Sequence, residues 1–180
     1  FKKPYRKHAC AWRMAVILQS KLRRSPERVR TLLTPFVSDS SHKHHEEALF
    51  RTIRAFINED RYDDALQLID RYDDAFPAGK YRESTAYYRG WLPYDSNRCT
   101  KGLPALRAYT KTFTKRRRHV RGFIAWCHIR KARWKSAIRG FAPLLREKDS
   151  MHRGKALYWQ AYAHRKLGDE AKTSERLRSL

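Results

Sequence analysis

Two small residues recur along this chain at a spacing of about 35 residues, and this repeat constrains the fold more than any other feature. The first small position is filled in turn by Ala55, Gly90, Ala125 and Ala161. The second follows 10 to 12 residues later and is filled by Ala65, Gly102, Ala137 and Ala171. Small side chains at fixed places allow two helices to approach closely, so each repeat is predicted to be a helical hairpin.

The third repeat shows the helical period best. Apolar residues at i, i+3, i+4 and i+7 predict one buried stripe, made by Val120, Phe123, Ile124 and Cys127. A second stripe follows on the partner helix and contains Trp134, Ala137, Ile138, Phe141 and Leu145. The preceding repeat is predicted to turn Gly102, Leu106, Tyr109 and Phe113 inward.

The rest of the chain is also predicted to be helical. The expected helices are 5–23, 26–35, 46–58, 62–76 and 81–92, with Ser25 as an N-cap before Pro26 and Gly168 as a C-cap. No segment reads as a strand. The sequence therefore predicts an all-α solenoid of about four hairpins over residues 39–180, preceded by a basic N-terminal helical segment over residues 1–38.

The second half of the chain resembles a known family. The resemblance is carried by Gly90-Trp91, Ala125-Trp126, Trp134, Ala137-Ile138, Phe141, Ala156-Leu157-Tyr158-Trp159 and Leu167-Gly168. Hairpins of about 35 residues resemble the tetratricopeptide (TPR) class, and residues 81–172 resemble the superhelical region of soluble lytic murein transglycosylases. The resemblance implies a ring or horseshoe of helices that, in that family, precedes a lysozyme-like domain acting on peptidoglycan.

The catalytic motifs of that family are not found in this sequence. They comprise a Glu-Ser helix, a Gly-Leu-Met-Gln-like loop and an aromatic-Asn motif, whereas Glu83-Ser84 is the only Glu-Ser pair and lies inside the repeats. Glycoside cleavage needs a carboxyl with a raised pKa in a cleft, which an outward helix residue does not have. We therefore expect no catalytic residue, no cofactor and no enzymatic activity from these 180 residues.

Charge is distributed unevenly. Residues 96–146 contain 15 Lys and Arg residues and no Asp or Glu, within a chain of formal net charge +23. The same segment holds Trp126, Trp134, Phe113, Phe123 and Phe141, and such apolar content predicts a packed structure rather than a solvated tail. The charges are thus expected to decorate a folded surface and to attract an acidic partner.

The basic residues of this segment form ladders. Arg107, Lys111 and Lys115 are spaced by four, as are Lys131, Lys135 and Arg139. Like charges at this spacing oppose a helix by about 0.2–0.5 kcal/mol per pair, which a bound anion would offset. The predicted partner-binding surface comprises Arg107, Lys111, Lys115, Arg116, Arg117, Arg118, Arg121, Lys131, Lys135 and Arg139.

The sequence leaves several acidic partners open. An envelope polymer such as peptidoglycan, with a periplasmic location, is what the transglycosylase resemblance implies. RNA is a second candidate, as in a ribosome-bound component, because phosphate contacts alone supply affinity. An acidic protein surface is a third, and the segment Glu46 to Asp74 of the same chain could also absorb part of the charge.

Cysteine, histidine and aromatic residues give weaker signals. Three widely spaced cysteines, Cys10, Cys99 and Cys127, predict neither a disulfide framework nor a zinc site. The His and Glu cluster at residues 42–47 lacks zinc-motif spacing and is interpreted as a polar helix start, so no metal is expected. No apolar run approaches the roughly 20 residues of a membrane span.

Seven aromatic residues could either fill the seams between helices or line a groove and stack on a ligand. They are Tyr87, Tyr88, Trp91, Tyr94, Tyr158, Trp159 and Tyr162. The tryptophans are assigned mainly to the core, whereas the tyrosine hydroxyls need water or a partner.

Overall fold

The computed structural model describes residues 3–22, 25–146 and 150–180, and all regular structure in these residues is helical. The α-helices within them are α1 (Lys3–Ile17), α2 (Pro26–Ser38), α3 (His45–Asn58), α4 (Tyr62–Ala75), α5 (Arg82–Asp95), α6 (Cys99–Thr112), α7 (Arg117–Arg130), α8 (Trp134–Phe141), α9 (Ser150–Lys166) and α10 (Glu170–Arg178). A π-helical turn, Leu18–Leu22, extends α1, and a 3₁₀ turn, Ala142–Arg146, extends α8. The predicted all-α class with four hairpins after an N-terminal helical segment is confirmed.

The chain divides into two compact units, 1–88 and 89–180. In the first unit, α1 and α2 pack on α3 around a core of Ala15, Val29, Leu33, Phe36, Ala48 and Ala55. The carboxylate of Glu46 accepts hydrogen bonds from the Tyr72 hydroxyl and the Lys80 backbone amide, both at 2.6 Å. The start of α3 is thereby tied to α4 and to the turn that follows it.

In the second unit, α7 packs on α8, α8 on α9, and α9 on α10. Its largest described core cluster comprises Ala125, Ile129, Ala137, Phe141, Leu144, Ala156 and Ala163. Alanine fills four of these seven positions, which keeps the helix axes close. Tryptophans 126, 134 and 159 pack against this core but stay partly exposed.

Two glycines bring the backbones of α5 and α6 into contact. A Cβ atom added to Gly102 would lie 2.6 Å from the carbonyl oxygen of Gly90, and one added to Gly90 would lie 2.6 Å from Cδ2 of Leu106. Both distances are well inside the optimal carbon contact of about 3.5–4.0 Å. In the next hairpin, a Cβ on Gly140 would lie 2.9 Å from that of Ala125. The recurring small residues therefore set the helix spacing, as the repeat predicts.

The last repeat departs from this pattern. Ala171 is exposed, and the neighbouring buried residue is Thr173. The Thr173 hydroxyl donates to the backbone carbonyl of Asp169 at 2.8 Å. The prediction of a close helix approach at Ala171 is therefore wrong, because a terminal repeat has no further hairpin to pack against.

Helix ends differ slightly from the predicted ones. α2 continues past Pro35 to Ser38, and α5 continues past Pro93 to Asp95. A proline removes one backbone hydrogen bond from a helix. In α2 this loss is offset because the extension beyond Pro35 buries Phe36, which is only 2 % exposed. Ser25 caps α2 without a side-chain hydrogen bond. Gly168, at φ +77°, ends α9 as predicted.

The predicted boundary between residues 38 and 39 concerns where the repeats begin, and it stays a prediction. The predicted end of the first helix, Arg23, lies outside the described residues. Within the described part of the chain, no helix is both long and apolar enough to span a membrane.

Replacing Gly102 by Ala tests the contact between α5 and α6. We expect Gly102→Ala to lower the free energy of unfolding by about 1–3 kcal/mol, because the added methyl overlaps the Gly90 carbonyl. Urea denaturation followed by circular dichroism measures the change. Gly154→Ala is the matched control, since its Cβ would meet only Leu180 at 3.9 Å. The control should be stabilising by up to about 1 kcal/mol through helix propensity.

Candidate partner-binding site

The ten predicted binding residues lie in the second unit, on α6, α7, α8 and the turns between them. Eight of them are exposed, whereas Arg116 and Arg117 are partly buried. Lys115 lies in the turn after α6, and Lys131 is the C-cap of α7. Each predicted ladder of three therefore has two members on a helix, Arg107 and Lys111 or Lys135 and Arg139, and a third in a turn.

The start of α7 concentrates positive charge where a helix least tolerates it. Four consecutive basic residues, 115–118, lead into the helix, and its first turn contains no acidic residue. The first amides of a helix already carry a partial positive charge, and a mismatched charge there costs about 0.3–1 kcal/mol. An anion placed at this end of α7 would interact favourably with both the helix dipole and the side chains.

Basic residues from both predicted ladders act electrostatically on one buried histidine. His128 is 8 % exposed, and its Nδ1 atom has no hydrogen-bond partner among the described residues. Burial lowers the pKa of His128 below its ordinary value of 6.5, and Arg107, Arg133 and Arg139 lower it further. Positive charge from α6 and from α8 thus acts on one residue near the end of α7.

Acidic residues of the first unit pair with basic residues of that same unit. Glu59 forms a 2.9 Å ion pair with Arg30, and Arg51 pairs with Glu47 at 2.7 Å. Arg61 pairs with Asp64 at 2.8 Å. These three carboxylates, from the segment that could absorb charge, are engaged locally.

A pocket lined mainly by aromatic residues lies between α7 and α9, with a volume of about 290 Å³. Trp126 and Trp159 meet edge to face at 6.4 Å between ring centroids. Tyr94, at the end of α5, stacks on Phe123 at 4.4 Å. Lys155 also lines the pocket, together with His119 and His152, whose rings are perpendicular at 4.4 Å.

The two helices each supply this pocket with residues of the same spacing. On α7 the lining residues are His119, Gly122, Phe123 and Trp126, and on α9 they are His152, Lys155, Ala156 and Trp159. Each set has the spacing i, i+3, i+4, i+7 of a single helix face, and the two sets are offset by 33 residues. One face of each helix thus builds one wall, a relation that sequence reasoning missed because it assigned Phe123 to the core.

Cys99 and Cys127 form a disulfide between α6 and α7, with their Cα atoms 5.6 Å apart. The prediction of unpaired thiols is therefore wrong for these two residues. The helical hairpin brings together positions 28 residues apart, a proximity that residue spacing alone does not reveal. Tyr94 and Trp126, two walls of the pocket, pack against the cluster that contains this disulfide.

The other predicted candidates are distributed around the structure. Tyr158 and Tyr162 line a separate, smaller pocket of about 120 Å³ between α9 and α10. In the His and Glu cluster, His45 Nδ1 lies 3.0 Å from the Phe36 carbonyl oxygen, and His44 stacks on Trp12. No group of three or more His, Cys, Asp or Glu residues in the described ranges could hold a metal ion.

Comparison with known proteins reveals a shared fold. No protein-family model matches the chain, and no curated protein matches it. Solved structures do match: MamA AMB-1 has a TM-score of 0.75 at 13% identity, covering 96% of this chain and 88% of that one. MamA 41-end from Desulfovibrio magneticus RS-1 has a TM-score of 0.75 at 14% identity, covering 96% and 92%.

A putative kinesin light chain from Podosopora anserina, with nearly identical TPR-like repeats, has a TM-score of 0.64 at 14% identity and covers 99% of this chain and 94% of that one. Such low identities concern the fold alone. The chain therefore has a TPR-like all-helical fold. The resemblance to lytic transglycosylases stays a prediction.

Protonation of His128 should destabilise the fold. Its pKa is lower in the folded than in the unfolded chain. Unfolding therefore takes up protons, and stability falls as pH drops through about 6.5. We expect His128→Gln to reduce the loss of unfolding free energy between about pH 7.5 and pH 5.5, because glutamine does not titrate. Urea titrations at both pH values measure it, with exposed His8→Gln as the control. An unchanged loss would contradict the assignment.

Loss of the disulfide should also destabilise the fold. We expect a Cys99→Ala, Cys127→Ala double variant to lose about 2–4 kcal/mol of unfolding free energy, because the unfolded chain gains freedom. Urea denaturation measures this, and Cys10→Ala is the control at an exposed free thiol. Alkylation of the native protein should label Cys10 alone until a reductant is added. Labelling of all three cysteines without reductant would contradict the pairing.

Proposed function

We propose that this chain is a non-catalytic binding module that holds an acidic protein segment on the cationic surface of its second unit. The observation that carries the proposal is the exposure of eight of the ten predicted basic residues. They lie in a stretch of 51 residues without an acidic residue, residues 96–146. Packed helices hold these charges in place, so a partner meets an ordered surface.

Electrostatics supports an external anion. The ladders on α6 and α8 and the basic start of α7 each oppose the fold slightly. Local carboxylates could offset this cost, but Glu47, Glu59 and Asp64 pair with basic residues of the first unit. A carboxylate-rich partner would complement the positive potential of this surface and would also accelerate encounter at low salt.

The TPR-like fold also supports a binding function. Stacked helical hairpins present an extended surface on a rigid frame. No described cluster offers a metal centre, and Glu83 lies in the first turn of α5 among the repeats. We therefore assign no chemistry to these residues.

Peptidoglycan is a second candidate partner, and the disulfide favours it. Disulfides persist in oxidising compartments such as the bacterial periplasm. Together with the transglycosylase resemblance, the Cys99–Cys127 bond is what a chain acting at the cell envelope would have. In that case the chain would be the non-catalytic half of a longer lytic transglycosylase. The same bond weighs against RNA as the partner, because RNA-binding proteins act mainly in compartments where thiols stay reduced.

Charge reversal tests the proposal. We expect a Lys115→Glu, Arg118→Glu, Arg121→Glu variant to bind a fluorescein-labelled poly-glutamate peptide at least about tenfold more weakly than the wild type. Exposed charge contacts contribute about 0.2–1 kcal/mol each, and 1.4 kcal/mol is tenfold. Fluorescence anisotropy at low salt measures both affinities.

A matched triple reversal in the first unit is the control. Arg28, Lys43 and Arg71 are exposed, and their reversal removes the same net charge elsewhere. Equal losses of peptide affinity in the two triple variants, or no peptide binding at low salt, would overturn the proposal. Tighter binding to a single-stranded RNA of equal charge would favour the nucleic-acid alternative. Retention on purified sacculi that poly-glutamate does not displace would favour peptidoglycan.

A further inference from the structure

The cationic surface does not explain the aromatic pocket of the second unit. Aromatic side chains in a core are normally covered, yet Phe123, Trp126 and Trp159 stay partly exposed around a cavity of about 290 Å³. Small-molecule sites usually measure about 300–1,000 Å³. A cavity of about 150 Å³ already takes benzene, so this pocket has room for an aromatic side chain.

The walls favour an aromatic guest. Edge-to-face and stacked arrangements are the preferred contacts of aromatic rings. Both already occur in the wall, where Trp126 meets Trp159 edge to face and Tyr94 stacks on Phe123. A ring entering between α7 and α9 would extend the same packing. An aliphatic side chain would gain no such directional contact, so the pocket favours an aromatic ring over an aliphatic chain.

Polar groups at the pocket suit a neighbouring carboxylate. Lys155 lines the same cavity as His119 and His152, and the two imidazoles meet at 4.4 Å. Arg118 lies four residues before Gly122, so the two occupy neighbouring positions on one side of α7. Cations therefore flank the aromatic walls, and the matching chemistry is a ring with acidic groups beside it.

The charge of the surface selects an acidic protein segment as the occupant. A second copy of this chain would bring its own charge of +23 against the same surface, which disfavours self-association. An acidic polypeptide instead complements the surface and can carry an aromatic side chain between its carboxylates. Buried aromatic anchors surrounded by a charged rim are the usual centre of a protein interface.

The pocket is also held rigid. Tyr94 and Trp126 pack against Cys99, Leu103 and Cys127, so the disulfide fixes the neighbours of two walls. A wall that is ordered before binding loses little entropy on binding.

We propose that the pocket between α7 and α9 takes one aromatic side chain of an acidic protein segment, whose flanking carboxylates lie on Lys155 and Arg118. The inference rests on the proposed function and adds what the partner must contain besides charge. The cationic surface alone selects for acidity, whereas the pocket selects one residue type at one place.

Two peptides separate these contributions. One is an octapeptide of Glu and Asp with a central Phe, and the other has Ala in its place, both carrying fluorescein. Wild-type protein should bind the Phe peptide about tenfold to a hundredfold more tightly by fluorescence anisotropy, as burial of one such side chain predicts. The Lys115→Glu, Arg118→Glu, Arg121→Glu variant should bind both peptides more weakly than the wild type, by a similar factor.

Gly122 provides a way to fill the pocket without removing its walls. A Cβ added there would meet only Leu144 at 3.8 Å, so a longer side chain can extend into the cavity. Gly122→Leu should therefore abolish the preference for the Phe peptide over the Ala peptide. Gly154→Leu on α9 is the matched control, since Gly154 does not line this pocket. Leucine favours a helix over glycine in both places.

Each outcome is decisive. If neither peptide binds at low salt, the proposed function itself fails. If wild-type protein binds both peptides equally, or if Gly122→Leu keeps the Phe preference, the pocket inference fails while the proposed function stands. Displacement of the Phe peptide by free phenylacetate at an equal concentration would also overturn it, by identifying a small aromatic acid as the occupant. Should Gly122→Leu fail to fold, the comparison of the two peptides on wild-type protein still decides.

Discussion

Close contact between helix backbones is the constraint on which the second unit depends. Where Gly102 lies against the carbonyl of Gly90, no side chain separates α5 from α6, and Gly140 meets Ala125 almost as closely between α7 and α8. Short axial distances leave little room for large core residues, which explains a core rich in alanine. The larger apolar side chains, the tryptophans above all, are displaced towards the edges of the hairpins, where they can form a pocket.

Displaced aromatics and concentrated charge occur on the same helix for a geometric reason. A helix has one face for the core, and α7 uses it for Val120, Ala125 and Cys127. The remaining circumference carries His119, Gly122, Phe123 and Trp126 on one side, with Arg118 beside them. Apolar contact and positive potential are thus available to one ligand at one place. Neither the basic stretch nor the aromatic content would give that combination alone.

The sequence predicted the fold better than the site. Small residues at fixed spacing and apolar stripes are local signals, so the helices and hairpins followed from them with errors of a few residues at Pro35 and Pro93. The pairing of Cys99 with Cys127 and the meeting of Trp126 with Trp159 are non-local, because they depend on how one helix docks on another. Phe123 satisfies both the pattern of a core stripe and that of a pocket wall, and residue type cannot separate the two. The exposed Ala171 shows the same limit at a terminal repeat.

The division of the aromatic pocket between two hairpins has a consequence for how such a chain can change. Each of the two hairpins carries one wall of this pocket, which exists only where the two face each other. Duplicating this pair of hairpins would therefore repeat the pocket without a new mutation, whereas deleting one hairpin would remove the pocket without changing a residue of the other wall. In a repeat protein of this kind, the number of binding sites depends on the number of hairpins. A change in the number of hairpins alone can therefore create or remove a binding site.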